Sequence, residues 1–169
     1  MAAAELELHA FDSVASTLPS LVAAATGPWH VRHHRWGLKL WAGAEDEVAR
    51  LHYELQLLGR RHVPEAKAFA LEVGFHAELA GEANAAVAER LAAAEKTWRK
   101  ALGEDATLGP FLGQPRWRRL SEVWLDPPID AADCRFEMAE RLATYAAVVQ
   151  PLLADVTLVT GGSRRRARG

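Results

Sequence analysis

Cysteine is nearly absent from this sequence, and its absence narrows the possibilities first. The single Cys134 excludes an internal disulfide and fits a reducing compartment. No apolar run approaches the roughly 20 residues a membrane-spanning helix needs. The opening residues "MAAAELELHA" carry Glu5 and Glu7 where a signal peptide carries basic residues, so the expected location is cytoplasmic. There is no P-loop, no GxGxxG after a strand, no CxxC and no GxSxG. Nucleotide hydrolysis by a known loop, zinc-finger chemistry and serine hydrolysis therefore have no support. Lysine is scarce too: four lysines stand against sixteen arginines in an alanine-rich chain, the balance a GC-rich genome gives without selection for function.

What is present is an ordinary globular composition, 169 residues with 50% hydrophobic and 25% charged. A chain of this length buries roughly 70% of its extended surface and needs neither disulfide nor metal to fold. The expectation is one α+β domain over 1–160 followed by a disordered basic tail, 161–169, whose "GGSRRRARG" holds no core residue. There is no internal repeat. Net charge is only −2, yet positive charge is concentrated in "WHVRHHRWGLKLW" (29–41), "RWRR" (116–119) and the arginines of 164–168. Such segments suit self-association or a nucleic-acid partner, and they equally suit base composition alone. A membrane partner is not expected.

Periodicity supplies the elements. Leu6, Ala10, Val14, Leu18 and Leu21 recur at helical spacing, with Pro19 expected to kink or restart the helix and Ser16 or Thr17 to cap it. Residues 29–41 read as one extended segment with a bend at Gly37. Residues 50–58 and 68–79 alternate strictly and pair most simply as an antiparallel hairpin. Residues 82–102 predict one helix with a Val87, Leu91, Ala94, Trp98, Leu102 stripe; 103–115 a loop; 117–125 a strand. A last helix follows, capped by Asp130, with the stripe Phe136, Ala139, Leu142, Ala146, Val149 and Leu153. The order is α-β-β-β-α-β-α: a mainly antiparallel sheet of about four strands with helices packed on one face.

The two alternating strands raise the functional question. His52, Glu54 and Gln56 interleave with Tyr53, Leu55 and Leu57; Glu72, Gly74, His76 and Glu78 interleave with Leu71, Val73, Phe75 and Ala77. The apolar rows are expected to face the helices and the His/Glu rows a freer side. Opposed residues bring their Cβ atoms within ~4.5–5.5 Å, so two or three of these groups can share one ion. Histidine with carboxylates suits Zn²⁺, Mn²⁺ or Fe²⁺, and a carboxylate pair suits Mg²⁺. The same pattern also describes a solvated sheet face laced with cross-strand ion pairs. Gly74, in mid-strand between Glu72 and His76, marks either a bulge or a close approach to the sheet. Aromatics interleaved with Arg32 and His34 can stack bases and neutralise phosphates, or can form a strand with one wet face. Trp36 and Trp41 cannot share a face of a regular strand, so Gly37 or an exposed tryptophan must resolve the conflict. Cys134, in the first turn of the last helix, reads as a small buried helix residue more readily than as a nucleophile.

The element order over about 5–125 resembles the core of the restriction-endonuclease-like PD-(D/E)xK nucleases, which run α-β-β-β-α-β. The resemblance implies metal-dependent phosphodiester hydrolysis with Glu54 as the acid of the second strand and Glu72 as the acid of the third. This chain departs from the family at the lysine, since the triplet is Glu72-Val73-Gly74; Lys39 or His76 would have to substitute. Two functions therefore stand. One is a binding or interaction protein that uses the polar face, with His52, Gln56, Gly74, Glu78, Arg32, His34 and Arg118 as contacts. The other is a metal-dependent phosphodiesterase in which Glu54, Glu72 and His76 hold a divalent ion and act catalytically.

Overall fold

The computed structural model describes residues 3–43, 50–112 and 114–154. Four helices and six strands follow in the order α1 (Ala3–Leu21), β1 (Trp29–His34), β2 (Gly37–Ala42), β3 (Leu51–Gly59), β4 (Phe69–Ala77), α2 (Gly81–Ala93), α3 (Glu95–Leu102), β5 (Thr107–Phe111), β6 (Gln114–Leu125) and α4 (Ala132–Leu153). All neighbouring strands are antiparallel, in the spatial order β1-β2-β3-β4-β6-β5. The class is α+β as expected, but the sheet has six strands rather than about four.

Both additional strands arise where a breaker residue masks a pairing. The 29–41 stretch is a hairpin, not one bent strand: His34 opposes Gly37 across a turn at Arg35 and Trp36. Gly37 is needed because the Leu55 backbone runs close by; a Cβ there would lie 1.8 Å from the Leu55 carbonyl oxygen. The turn also settles the tryptophans, since Trp36 is 48% exposed while Trp41 is buried. Within the expected loop 103–115, β5 pairs with β6 despite Pro110. A proline lacks the N–H for a second neighbour, and β5 is an edge strand that has none.

The helices pack on one face of the sheet. Ala10, Phe11, Val14 and Leu18 of α1, Val87 and Leu91 of α2, Trp98 and Leu102 of α3, and Met138, Leu142, Tyr145 and Val149 of α4 share a core with Leu40, Tyr53, Leu55, Val73, Phe75 and Leu120. The 82–102 helix is broken at Ala94, where the Trp98 indole N–H donates to the Leu91 carbonyl (2.8 Å) and so caps the end of α2. In α1, Pro19 lies inside the last turn without ending the helix. Ser16 and Thr17 donate back to the Ser13 carbonyl (2.8 and 3.0 Å) instead of capping. The cap of α4 is Ala131, with no side-chain cap, rather than Asp130. Phe136 is 51% exposed, outside the buried stripe expected of it. The side chain of Leu6, the tail 161–169, the basic run 164–168 and the domain limit at 160 lie outside the described residues. No described helix is long and apolar enough to cross a membrane.

Candidate functional site: a buried His/Glu cluster

The two central strands pair in the register that alternation demands. His52 opposes His76, Glu54 opposes Gly74, Gln56 opposes Glu72, and on the other side Glu54 opposes Lys39 of β2. These side chains therefore share the face turned away from the helices. That face is not the freer side expected of it, because His52, Glu54, Glu72 and His76 are each at most 2% exposed. Its cover comes from within the sheet and from one loop. Arg32 lies over the Trp41 ring (5.3 Å), the Phe111 ring meets His76 edge-on (4.7 Å), and Trp117 meets Phe111 (5.7 Å). Segment 60–68 folds Val63 and Ala66 against Leu58 and Ala70, closing one end. Asp126 holds that segment, its carboxylate accepting the backbone N–H groups of Lys67 (2.8 Å) and Ala68 (2.7 Å).

Glu54 is the centre. Its Oε2 accepts from His52 Nε2 (2.9 Å) and His76 Nδ1 (2.8 Å), while His34 Nε2 lies 2.8 Å from Oε1. Burial alone would raise the Glu54 pKa, but the bonds from His52 and His76 and the close His34 ring outweigh it and hold the carboxyl far below the usual range. His52 Nε2 is also 3.6 Å from Glu78 Oε1, and Lys39 Nζ is 3.1 Å from the same oxygen. The far side of His76 faces a second carboxylate: Nε2 is 3.4 Å from Glu72 Oε1. Glu72 accepts from Ser121 Oγ (2.6 Å), which in turn accepts from Arg119 Nη1 (2.6 Å). Burial would raise the Glu72 pKa as well, and His76, Ser121 and Arg119 together lower it.

The imidazoles divide. Burial and the neighbouring His76 and Lys39 hold the His52 pKa down despite the bond to Glu54. His76 is more deeply buried, yet its bond to Glu54 and the Glu72 carboxylate at its other nitrogen push its pKa up to about 9. Three carboxylates (Glu54, Glu72, Glu78) thus meet Lys39, Arg119 and the buried rings of His52 and His76. That pairing is what lets so many charges leave water.

Of the residues picked from the sequence, Glu54, His76, His52, Glu78 and His34 come together. Glu72 joins from the opposite side of the His76 ring, so Glu54 and Glu72 address different nitrogens of one imidazole. Gln56 faces Glu72, and neither Gln56 Oε1 nor Glu72 Oε2 has a hydrogen-bond partner among the described residues. Gly74 answers to close approach: a Cβ there would lie 2.4 Å from Ser121 Cβ. Arg32 stacks on Trp41 at the rim. Arg118 does not join; it donates to the carbonyls of Pro115 (2.8 Å) and Trp117 (3.0 Å), and its neighbour Arg119, opposite His76, takes the place on the face. Lys39, Arg119 and Ser121 complete the network. Lys39 was legible as a cation on the right stretch, but placing Arg119 and Ser121 requires the β4–β6 register. Cys134 is buried, and burial with nearby Glu137 and Asp130 pushes its thiol pKa up, the opposite of an activated nucleophile.

One donor atom from each of His52, Glu54, His76 and Glu78 lies within 4.8 Å of the others, a spacing a metal ion can bridge. Comparison with family models, curated proteins and solved structures finds no match to this chain.

Proposed function

We propose that this chain is a binding protein whose polar sheet face holds one divalent transition-metal ion through His52, Glu54, His76 and Glu78. The convergence of those four donors within 4.8 Å carries the reading. Two imidazoles and two carboxylates suit Zn²⁺ best, with Mn²⁺ and Fe²⁺ as competitors. Tetrahedral ligands with bonds of ~2.0–2.2 Å stand about 3.3 Å apart; His76–Glu54, His52–Glu54 and His52–Glu78 are 2.8, 2.9 and 3.6 Å apart, and all four donors fall within 4.8 Å. Coordination takes side-chain shifts and release of the His76 proton, since a ligating imidazole is neutral. Three of the four side chains are already fixed by burial in central strands, so little ordering is left to oppose binding.

The phosphodiesterase alternative asks for Glu54, Glu72 and His76 around one ion with a coordination position open to a phosphate. Burial of all three, and the His76 ring standing between the two acids, favour holding an ion over processing a polymer. The test is calorimetric titration of chelator-stripped protein with Zn²⁺ and Mn²⁺. One saturable equivalent is expected. Glu54→Gln should weaken binding at least tenfold, and Glu72→Gln, which acts only through His76, should weaken it less. No heat and no retained metal in the folded unmodified protein would reject the metal reading. A greater loss in Glu72→Gln than in Glu54→Gln would favour the hydrolase arrangement.

A further inference from the structure

We infer that Lys39 is a tethered competitor for the metal ion: its ammonium closes the site when no ion is bound and withdraws to solvent when one enters. The inference rests on the metal reading above. Lys39 Nζ stands 3.1 Å from Glu78 Oε1 and 3.8 Å from Glu54 Oε2. Those carboxylates supply the two anionic donors of the proposed quartet, so ammonium and ion compete for the same oxygens.

Placement and exposure both support this role. On β2, Lys39 is flanked by Glu54 of β3 and Arg32 of β1, so its backbone cannot move away. Its head group is another matter. The side chain is 28% exposed and flexible, whereas the side chains of His52, Glu54 and His76 are at most 3% exposed. Of Lys39 and the four proposed ligands, the lysine is the most exposed, ahead of Glu78 at 19%. Electrostatics requires that it withdraw on loading. The two anionic donors, Glu54 and Glu78, already have the Lys39 ammonium beside them. A divalent ion added beside a retained ammonium would leave excess positive charge in a poorly solvated place, where like charges repel far more strongly than in water. Lysine suits this role better than arginine, because a point charge on a flexible stem can leave without breaking a bidentate fork.

The test compares stripped wild type, Lys39→Met, Lys39→Gln and Lys39→Arg. Zn²⁺ affinity is measured by competition with a chromophoric chelator, and Tm with and without zinc. Lys39→Met keeps the length of the stem and removes the charge. It is expected to bind zinc at least tenfold more tightly than wild type, and to show a lowered Tm that zinc restores. Lys39→Gln should move in the same direction and stands in if the methionine variant does not fold. Lys39→Arg should bind no better than wild type. Equal or weaker zinc affinity in both neutral variants would overturn the inference while leaving the metal site standing. Absence of zinc binding in every folded protein would instead remove the metal reading, and this inference with it.

Discussion

His76 is the residue on which the site turns. Its buried ring is held by Glu54 at one nitrogen and faces Glu72 at the other. Burial would lower its pKa, and the two carboxylates overcome this and raise it to about 9 from an unfolded value near 6.5. A folded-state pKa above the unfolded one means that the proton stabilises the fold. The contribution is complete below pH about 6.5 and drains away as pH rises towards about 9. His52 has the opposite shift, with burial keeping the ring neutral; it opposes folding only as pH falls below about 6.5, where the unfolded ring gains its charge. The metal-free protein should therefore lose stability between pH 6.5 and 9, and His76→Gln should flatten that decline. Urea titrations across the window decide it. A wild-type midpoint that holds level or rises would show that His76 is neutral in the fold.

At the level of elements, the β3–β4 hairpin sets the cluster and α4 anchors it. Gly74 leaves the position opposite Glu54 without a side chain, and β6 runs so close that a Cβ would sit 2.5 Å from the Leu120 carbonyl oxygen. Gly74→Ala should cost at least ~1–3 kcal/mol, as overpacking does. Gly59→Ala, at the end of β3 with nothing within 4 Å of the added carbon, is the matched control and should be nearly neutral. Helix α4 buries Met138, Leu142, Tyr145 and Val149 against the sheet, and Tyr53 and Gln150 tie the two layers (2.9 Å). Leu142→Ala should cost ~2–5 kcal/mol. Phe136→Ala should stay within about 0.5 kcal/mol, because that ring is half exposed. The stripe misplaced Phe136 for a geometric reason. Two successive three-residue steps, Phe136 to Ala139 to Leu142, each fall short of a full turn, so Phe136 lies about 120° round the helix from Leu142 at ~100° per residue. Equal losses in the two variants would mean that the buried face of α4 is not the one described.

For the whole molecule, a metal held only by the folded state links loading to global stability. If the ion binds as proposed, zinc at 100 times its Kd should add ~2.7 kcal/mol to unfolding, visible as a Tm that rises with zinc and falls with chelator. A Tm indifferent to zinc, in protein shown to bind it, would place the ion on unfolded chain as readily as on the fold. Charge follows the same long-range logic. The described basic stretches, 29–41 and 116–119, lie on opposite sides of the central β3–β4 pair that carries the His/Glu cluster.

By itself the sequence determined everything that repeats over a few residues. A period of two put Glu54, Glu72 and His76 on one side of the sheet and Leu55, Val73 and Phe75 on the other, since a slip by one residue would have buried carboxylates among the helices. The helical period likewise located α1, most of α2 and α3, and α4. Tertiary structure decided what depends on residues distant in the chain. Whether Arg118 or Arg119 meets Glu72 is a matter of the β4–β6 register, which no local pattern encodes. Whether Pro110 breaks a strand depends on its lying at an edge. Whether a row of histidines and glutamates is wet or buried depends on Trp41, Phe111, Arg119 and segment 60–68 closing over it. Local periodicity reports the direction of each side chain; only the packing of remote segments determines what that side chain meets there.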